Sequence, residues 1–279
     1  MRLFALLCGL GLWASLWTTG VLAAKPAPQG GMEKSLEVTL DPAQRSISGT
    51  LLLHLPDDAN AEPLTFTLAP GLSLEQAEQA ESTLDWEKTD AGDYRLTAPD
   101  PQLPLTLSWK GQLPSQLPGG GYWSEDNLWL PGQLAWYPRL DTPAPFAADI
   151  KVSTPDSIET VVSGHWLGTA IQDAQRHTRF AHPQARQLSL AAGRWQAATR
   201  EVTSDGGEGV RLRTLFPEKL SAPFADTYLD SAERALQLFQ QRLGPYPYSS
   251  FTMAASSRPI GFAFAGFTLL GEQVIALPF

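Results

Sequence analysis

Four histidines are the residues of this sequence best suited to bind a transition metal or to move a proton near neutral pH: His54, His165, His177 and His182. None belongs to a His-x-x-x-His pattern, which places two imidazoles on one helix face around a zinc ion. His177 and His182 are five positions apart in a strand-like stretch, and an odd spacing in a strand puts the side chains on opposite faces. We therefore expect solvent-facing or loop histidines, with no metal bound by this chain.

The sequence also contains no recognisable pattern of residues for nucleophilic or acid–base catalysis. There is no Gly-x-Ser-x-Gly turn, and the single cysteine, Cys8, falls in the apolar N-terminal segment. Carboxylates at turn sequences, such as Asp57, Asp58 and Asp205, are typical local hydrogen-bond acceptors. The sequence thus predicts no catalytic residue in this chain.

Tryptophans in the middle of the chain offer a different chemistry, the stacking of a glycan or a peptide: Trp123, Trp129, Trp136 and Trp166. Nothing polar is patterned around them, so we favour packing between sheets over a binding surface.

The elements that must position any site are mostly strands. From residue 33 to about 200, short runs of alternating apolar and polar residues are separated by turn residues, as in Ser35–Leu40, Asp41–Gln44 and Ser46–Leu55. A further hairpin is predicted from Gln196–Thr203 and Gly209–Leu215. Strands spaced this closely indicate antiparallel sheets.

Near residue 218 the apolar period changes from 2 to about 3.6, which predicts a helix over 222–243. Ser221 is the expected N-cap, Pro223 suits the first turn, and Gly244 ends the helix. Its apolar stripe is Phe224, Tyr228, Ala232, Ala235, Leu236, Phe239 and Leu243.

The chain is thereby divided into a β-rich domain, 33–217, and an α+β segment, 218–279. Its last apolar run, Gln273–Phe279, is expected to be a strand. A strand of this kind is exposed and adhesive when nothing covers it. We expect its partner elements to lie in residues that this chain does not contain.

The N-terminus has the pattern of a secretory signal peptide over 1–23, with Arg2, an apolar run over 3–22 and a small-residue cleavage site before Ala24. Residues 24–32 are expected to be a flexible mature N-terminus. The alternative is a membrane anchor formed by residues 3–22, since about 20 apolar residues can span a bilayer.

The mature chain would be acidic and free of cysteine, with a net charge of −9 for the whole sequence. This charge argues against a nucleic-acid partner, because phosphates require a basic surface. A protein without thiols needs no disulfides. Export to a bacterial periplasm fits these properties.

Two blocks of sequence resemble the M1 family of zinc metallopeptidases, the aminopeptidase N-like gluzincins. Trp136–Asp141, followed by Phe146–Val152, is similar to the family's N-terminal β-domain. Residues 210–279, with the helix and Leu243–Tyr248, resemble the entry into its catalytic domain. The resemblance implies a mainly β fold, in which a saddle-like antiparallel domain precedes the α+β opening of a truncated thermolysin-like domain.

The resemblance further implies a peptide substrate and zinc for the complete enzyme. The family signature, His-Glu-x-x-His with a downstream Glu, is absent from these residues. We therefore expect the N-terminal part of an exported M1-like peptidase, inactive alone and lacking the rest of its catalytic domain. The alternative is a non-catalytic secreted β-domain that binds peptide or glycan.

The candidate substrate-binding residues lie where M1 enzymes carry Gly-x-Met-Glu-Asn: Gly261, Phe262, Ala263, Phe264 and Ala265. In the family this segment is an edge strand that pairs with the bound peptide, and its Glu holds the substrate's α-amine. Phe264 stands at that Glu position and cannot make a charge-assisted bond. Classical aminopeptidase specificity is therefore not expected. The competing interpretation is a buried strand in which Phe and Ala alternate for packing.

Overall fold

The computed structural model describes residues 31–277 except 57–58, 60–61, 98, 143 and 204–208. The predicted signal peptide, most of the predicted flexible N-terminus and the last two residues lie outside the described part of the chain. Of the candidate site, all five residues are described.

The fold is mainly β, as the sequence predicts. In chain order the strands are β1 (Met32–Asp41), β2 (Ser46–His54), β3 (Leu64–Thr67), β4 (Leu72–Gln79), β5 (Ser82–Thr83), β6 (Trp86–Lys88), β7 (Tyr94–Leu96), β8 (Leu105–Gln112), β9 (Tyr122–Trp123), β10 (Asn127–Leu130), β11 (Arg139–Leu140), β12 (Phe146–Pro155), β13 (Glu159–Val162), β14 (His165–Gln172), β15 (Gln175–Ala185), β16 (Leu190–Gly193), β17 (Gln196–Thr203), β18 (Gly209–Phe216), β19 (Ser250–Ser256), β20 (Gly261–Phe264) and β21 (Phe267–Gly271). The helices of the described residues are α1 (Glu218–Leu243) and α2 (Glu272–Ile275).

A large sheet of the N-terminal part has the strand order β14-β15-β12-β1-β2-β8-β4-β5. Its pairs are antiparallel except β1 with β12, which run parallel. Along β1 every second residue is buried, so one face of the sheet covers the core and the other faces water. Two smaller sheets, β13-β16-β10-β9 and β11-β3-β7-β6, complete this part.

Three of the four candidate tryptophans are buried, which confirms the packing interpretation for Trp123, Trp129 and Trp136. The indole N–H of Trp136 donates to the carbonyl of Leu188 at 2.8 Å, which satisfies a polar atom inside the core. Trp166 is partly buried. The three buried tryptophans pack in the interior of the molecule.

A five-stranded sheet, β17-β18-β19-β21-β20, forms the second layer of the molecule, with α1 packed on it. The predicted β17–β18 hairpin is confirmed by its antiparallel register. The ring of Phe216 meets that of Tyr228 edge to face, with 5.3 Å between ring centroids. This sheet contains strands from both sides of position 217, and the proposed domain boundary there stays a prediction.

Helix α1 begins one turn earlier than predicted. Pro217 precedes it, and its carbonyl accepts from the N–H groups of Leu220 and Ser221 at 2.8 and 2.9 Å. Ser221 is therefore buried within the helix rather than capping it, and Pro223 lies in the second turn. Gly244, with φ of +89°, ends the helix as predicted. No described helix has the length and hydropathy required to cross a bilayer.

The predicted strand at Gln273–Phe279 is wrong. β21 ends at Gly271, and the chain then turns into the short helix α2, with Ile275 buried. Lys219 pairs with Glu272 at 2.6 Å and joins the starts of the two helices. A short apolar run has no periodicity that separates a strand from a buried helical turn, which explains the error.

Candidate functional site

β20 is the edge strand of the five-stranded sheet, and among the strands of the described residues it pairs with β21 alone. Gly261 to Phe264 form the strand, whereas Ala265 lies in the turn that leads to β21. Gly266 completes this turn with φ of +77°, a conformation that favours glycine. The side chain of Phe262 is 42% exposed, so β20 is not the buried packing strand of the competing interpretation.

The backbone of β20 presents alternate residues to the open edge. The N–H of Gly271 donates to the carbonyl of Ile260 at 2.8 Å, which marks that pair as hydrogen-bonded. Opposed residues of an antiparallel pair alternate between bonded and non-bonded, so Gly261 and Ala263 are non-bonded positions. Their N–H and C=O groups therefore point away from β21. A side-chain atom added at Gly261 would meet nothing within 4 Å, so the face of β20 is uncovered at this residue.

Phe262 and Phe264 lie on one face of β20 and pack against an aromatic side chain of the N-terminal part. The ring centroid of Phe262 is 4.6 Å from that of Trp129 on β10, and Phe264 stacks on Phe267 at 4.5 Å. We call Trp129, Phe262, Phe264 and Phe267 the aromatic shelf. It extends along β20, and Trp129, Phe264 and Phe267 belong to one hydrophobic core with the five-stranded sheet.

A buried polar network lies behind the aromatic shelf. The hydroxyl of Tyr122 donates to Oδ1 of Asn127 and lies 2.9 Å from Oγ of Ser256. The N–H of Ser257 donates to the same Asn127 oxygen at 3.1 Å. Burial raises the pKa of the Tyr122 phenol, so this hydroxyl stays protonated. The network fixes β9 and β10 to the end of β19, and with them Trp129.

Sequence reasoning missed Tyr122, Asn127 and Ser256 because the bonds that tie Tyr122 to Ser256 and Asn127 to Ser257 join residues more than a hundred positions apart along the chain. Their polar type inside apolar runs was the one available signal. Trp129 was identified as a packing residue, but not as a neighbour of Phe262.

The surroundings of β20 contain no negative charge from its own segment. Residues 259–271 include no charged side chain, and Glu272 just beyond them is paired with Lys219. The nearest charge before the strand is the guanidinium of Arg258, 5.7 Å from the ring centre of Tyr122. An ammonium group would find no carboxylate among residues 259–271.

A zinc ion does not fit the described residues, because no group of three or more His, Cys, Asp or Glu side chains is placed to hold a metal. His177 bonds Oγ of Ser153 at 2.8 Å and His54 is exposed. The expectation that all four histidines face solvent or lie in loops is wrong for His182, which is buried in β15. Its side chain lies on the inward face of this strand.

Solved structures of M1 zinc metallopeptidases have a similar fold. A crystal structure of the enzyme from Deinococcus radiodurans matches with a TM-score of 0.67 at 20% identity over 88% of this chain and 61% of that one. A Glu-to-Ala variant of that enzyme bound to a Tyr-Ser-Ala substrate matches with a TM-score of 0.64 at 21% identity and the same coverage.

No protein-family model matches the sequence, and no curated protein is similar to it. The chain spans 61% of the length of the solved structures that it resembles. The resemblance first seen in the sequence is therefore confirmed at the level of the fold: over the part that it spans, this chain has the fold of the M1 zinc metallopeptidases.

Proposed function

We propose that this chain is the N-terminal part of an M1-like zinc metallopeptidase and that β20 binds an extended peptide as an additional strand. The observation that carries the proposal is the open edge of β20, with the backbone groups of Gly261 and Ala263 directed outward. Peptide binding at a sheet edge takes its affinity from such groups and its selectivity from the side chains beside them. A similar structure with a bound Tyr-Ser-Ala substrate supports a peptide ligand.

Phe262 and Phe264, the two residues of the aromatic shelf that are not fully buried, determine which peptides fit. A peptide residue placed opposite Phe262 projects its side chain on the same face as that ring, since cross-strand neighbours share a face. An aromatic side chain there gains about 0.5–1.5 kcal/mol over burial alone. Because Phe264 offers no carboxylate, a blocked or internal peptide segment should bind as well as one with a free α-amine.

In this proposal the zinc is bound by residues outside this chain. The described residues, which hold no ligand set, supply one wall of the cleft in the same proposal. Export is part of the proposal too. It is supported by the signal-like segment over 1–23 and by the absence of cysteine after Cys8.

The C-terminal half of α1 is the proposed contact for the remaining part of the catalytic domain. Leu238, Phe239 and Leu243 are exposed there, and Leu243 is 82% exposed. Apolar side chains grouped on a helix end are typical of a surface that another segment covers. The similar structures are longer than this chain, which supports such a segment.

The edge can be tested with two substitutions at one position. Ala263→Pro removes an N–H that points away from β21 and leaves the bonds within the β20–β21 hairpin in place. Ala263→Val keeps the N–H and suits a strand, so it serves as the matched control. We expect the proline variant to lose about fivefold or more in affinity for an N-acetylated alanine pentapeptide with a central phenylalanine.

Peptide titration followed by NMR measures both variants, together with a free-amine peptide and an all-alanine peptide. The proposal expects equal binding with a free or blocked amine and weaker binding without the phenylalanine. Equal affinities for the proline and valine variants would exclude strand pairing at β20.

A further inference from the structure

The two parts of the molecule meet at a cluster of aromatic and polar groups next to the candidate site. Nδ1 of His165 accepts from the backbone N–H of Ser249 at 3.0 Å and lies 3.1 Å from its hydroxyl. The ring of Tyr248 is 5.0 Å from that of His165 and 6.1 Å from that of His182. Next to them, the N–H of Trp166 donates to Oγ of Ser250 at 2.9 Å. The start of β14 is thus fastened to the start of β19.

Gly164 connects this cluster to the turn after β20. Its N–H donates to the carbonyl of Ala265 at 2.8 Å. A side-chain atom added to Gly164 would lie 2.3 Å from the carbonyl oxygen of Ala181 and 3.0 Å from Cβ of His182. One added to Gly266 would lie 1.9 Å from the carbonyl oxygen of Gly164. The backbone from His182 through Gly164 to the β20–β21 turn is therefore in continuous contact, with no space for an extra methyl group.

Both imidazoles must be neutral in this arrangement. A backbone N–H can only donate, so Nδ1 of His165 accepts and its ring proton lies on Nε2. The N–H of Gln184 imposes the same tautomer on His182, at 3.3 Å from its Nδ1. A second proton on either ring would place two donors face to face.

The groups around the two rings offer no negative charge in return. His165 is close enough to His182 for a positive charge on it to lower the pKa of His182. Tyr248, with Tyr246 behind it, covers both rings from the segment after α1. From β18, Arg211 and Arg213 lie over the Trp166 ring, with 5.1 and 4.0 Å to its centre. The carboxylates beside these arginines are already paired: Glu159 with Arg176 at 2.7 Å and Arg213 at 3.6 Å, and Glu201 with Arg211.

We propose that His165 and His182 form a pH-sensitive latch that holds the β20–β21 turn against the N-terminal part and releases it on acidification. The latch itself does not depend on the proposed function. Its consequence, a weaker peptide site at acid pH, rests on the proposal that β20 binds peptide.

The direction of the titration agrees with this geometry. Burial, with the positive charge of His165 as a second cause, lowers the pKa of His182 to about 4, and burial also lowers the pKa of His165. The closed state, in which the turn is held against the N-terminal part, is thus fully favoured above the ordinary histidine pKa of about 6.5. It is lost as the pH falls towards 4. For His182 alone, opening becomes about twentyfold more favourable between pH 7 and pH 5.

Hydrogen exchange of the full chain tests the latch, with rates corrected for intrinsic exchange at each pH. We expect protection at residues 164–166 and 265–267 to fall at least about tenfold between pH 7 and pH 5, while β1 and β2 stay protected. In the double variant His165→Asn/His182→Asn an amide oxygen can accept the same N–H bonds without titrating, and the loss should disappear. His177→Asn is the matched control, because His177 bonds Ser153 away from the latch, and it should behave as the wild type.

Unchanged protection at these residues in the wild type, or the same loss in the double variant, would overturn the latch. A loss of protection shared by β1 and β2 would also overturn it, since that is global unfolding. Peptide affinity is measured at both pH values in parallel. If the turn opens and the affinity stays constant, the latch holds and its coupling to peptide binding is refuted; if no peptide binds at either pH, the proposed function fails independently.

Discussion

At the scale of single residues, Lys34 shows how a strand pattern can bury a charge. It lies on the inward face of β1 between Met32 and Leu36 and is 3% exposed. Its ammonium is 3.9 Å from the ring centre of Phe146 and 5.6 Å from that of Tyr137. These ring faces replace only part of the lost hydration. Burial accordingly lowers the pKa of Lys34 to about 8.

We expect Lys34→Met to raise the free energy of unfolding at pH 7 by about 2 kcal/mol, because it removes a charge that folding desolvates. In the wild type the unfolded chain binds the extra proton between about pH 8 and 10.5, so stability rises with pH across that window. The variant should lack this rise, and its advantage should shrink by pH 10. Urea denaturation at both pH values measures it.

Lys151→Met provides the comparison, since Lys151 on β12 is only partly buried and its ammonium lies 3.8 Å from Glu37. It should change stability by less than about 0.5 kcal/mol at either pH. An equal gain from both substitutions would show that Lys34 is not desolvated.

The sequence contained the information for Lys34 but not for His182. Extending the alternation of Ser35–Leu40 back by one residue puts Lys34 on the buried face. His182 is buried where Tyr248, from the segment between α1 and β19, packs edge-on against its ring, and no local pattern reports which distant element will cover a strand. The contact between Trp129 and Phe262 could not be predicted for the same reason. It forms only where β10 of one sheet meets β20 of another.

At the scale of elements, α1 has two halves with different environments. Its first half buries Leu220, Tyr228 and Leu229 against the sheet, and Leu236 is still buried further along. Phe239 is 57% exposed although it belongs to the same predicted stripe. Helical periodicity identifies an apolar face, but the partner that covers it is a property of the rest of the fold.

We therefore expect Leu236→Ala to lower the free energy of unfolding by about 2–4 kcal/mol, since it leaves a cavity against the sheet. Phe239→Ala, one turn away, should change it by less than about 0.5 kcal/mol. Chemical denaturation of both variants measures the difference. A cost for Phe239→Ala as large as that for Leu236→Ala would mean that the chain already covers this end of the helix.

At the scale of the whole molecule, the sheets are assembled from distant segments. β1 pairs in parallel with β12, and β18 pairs in parallel with β19 across the crossover formed by α1. The sequence predicted the antiparallel hairpins, whose turns are local, and the switch from strands to helix. It did not predict these parallel pairs, because their register is determined by packing between segments that no short pattern connects.

This assembly places β20 at the end of the five-stranded sheet, and we propose that its edge accepts a peptide strand. Amide-resolved hydrogen exchange, with and without saturating phenylalanine-containing pentapeptide, tests it most directly. We expect the peptide to slow exchange at Gly261 and Ala263, with little change at Phe262 and Phe264, whose amides already face β21. Slower exchange confined to other segments, or equal slowing at all four residues, would contradict it.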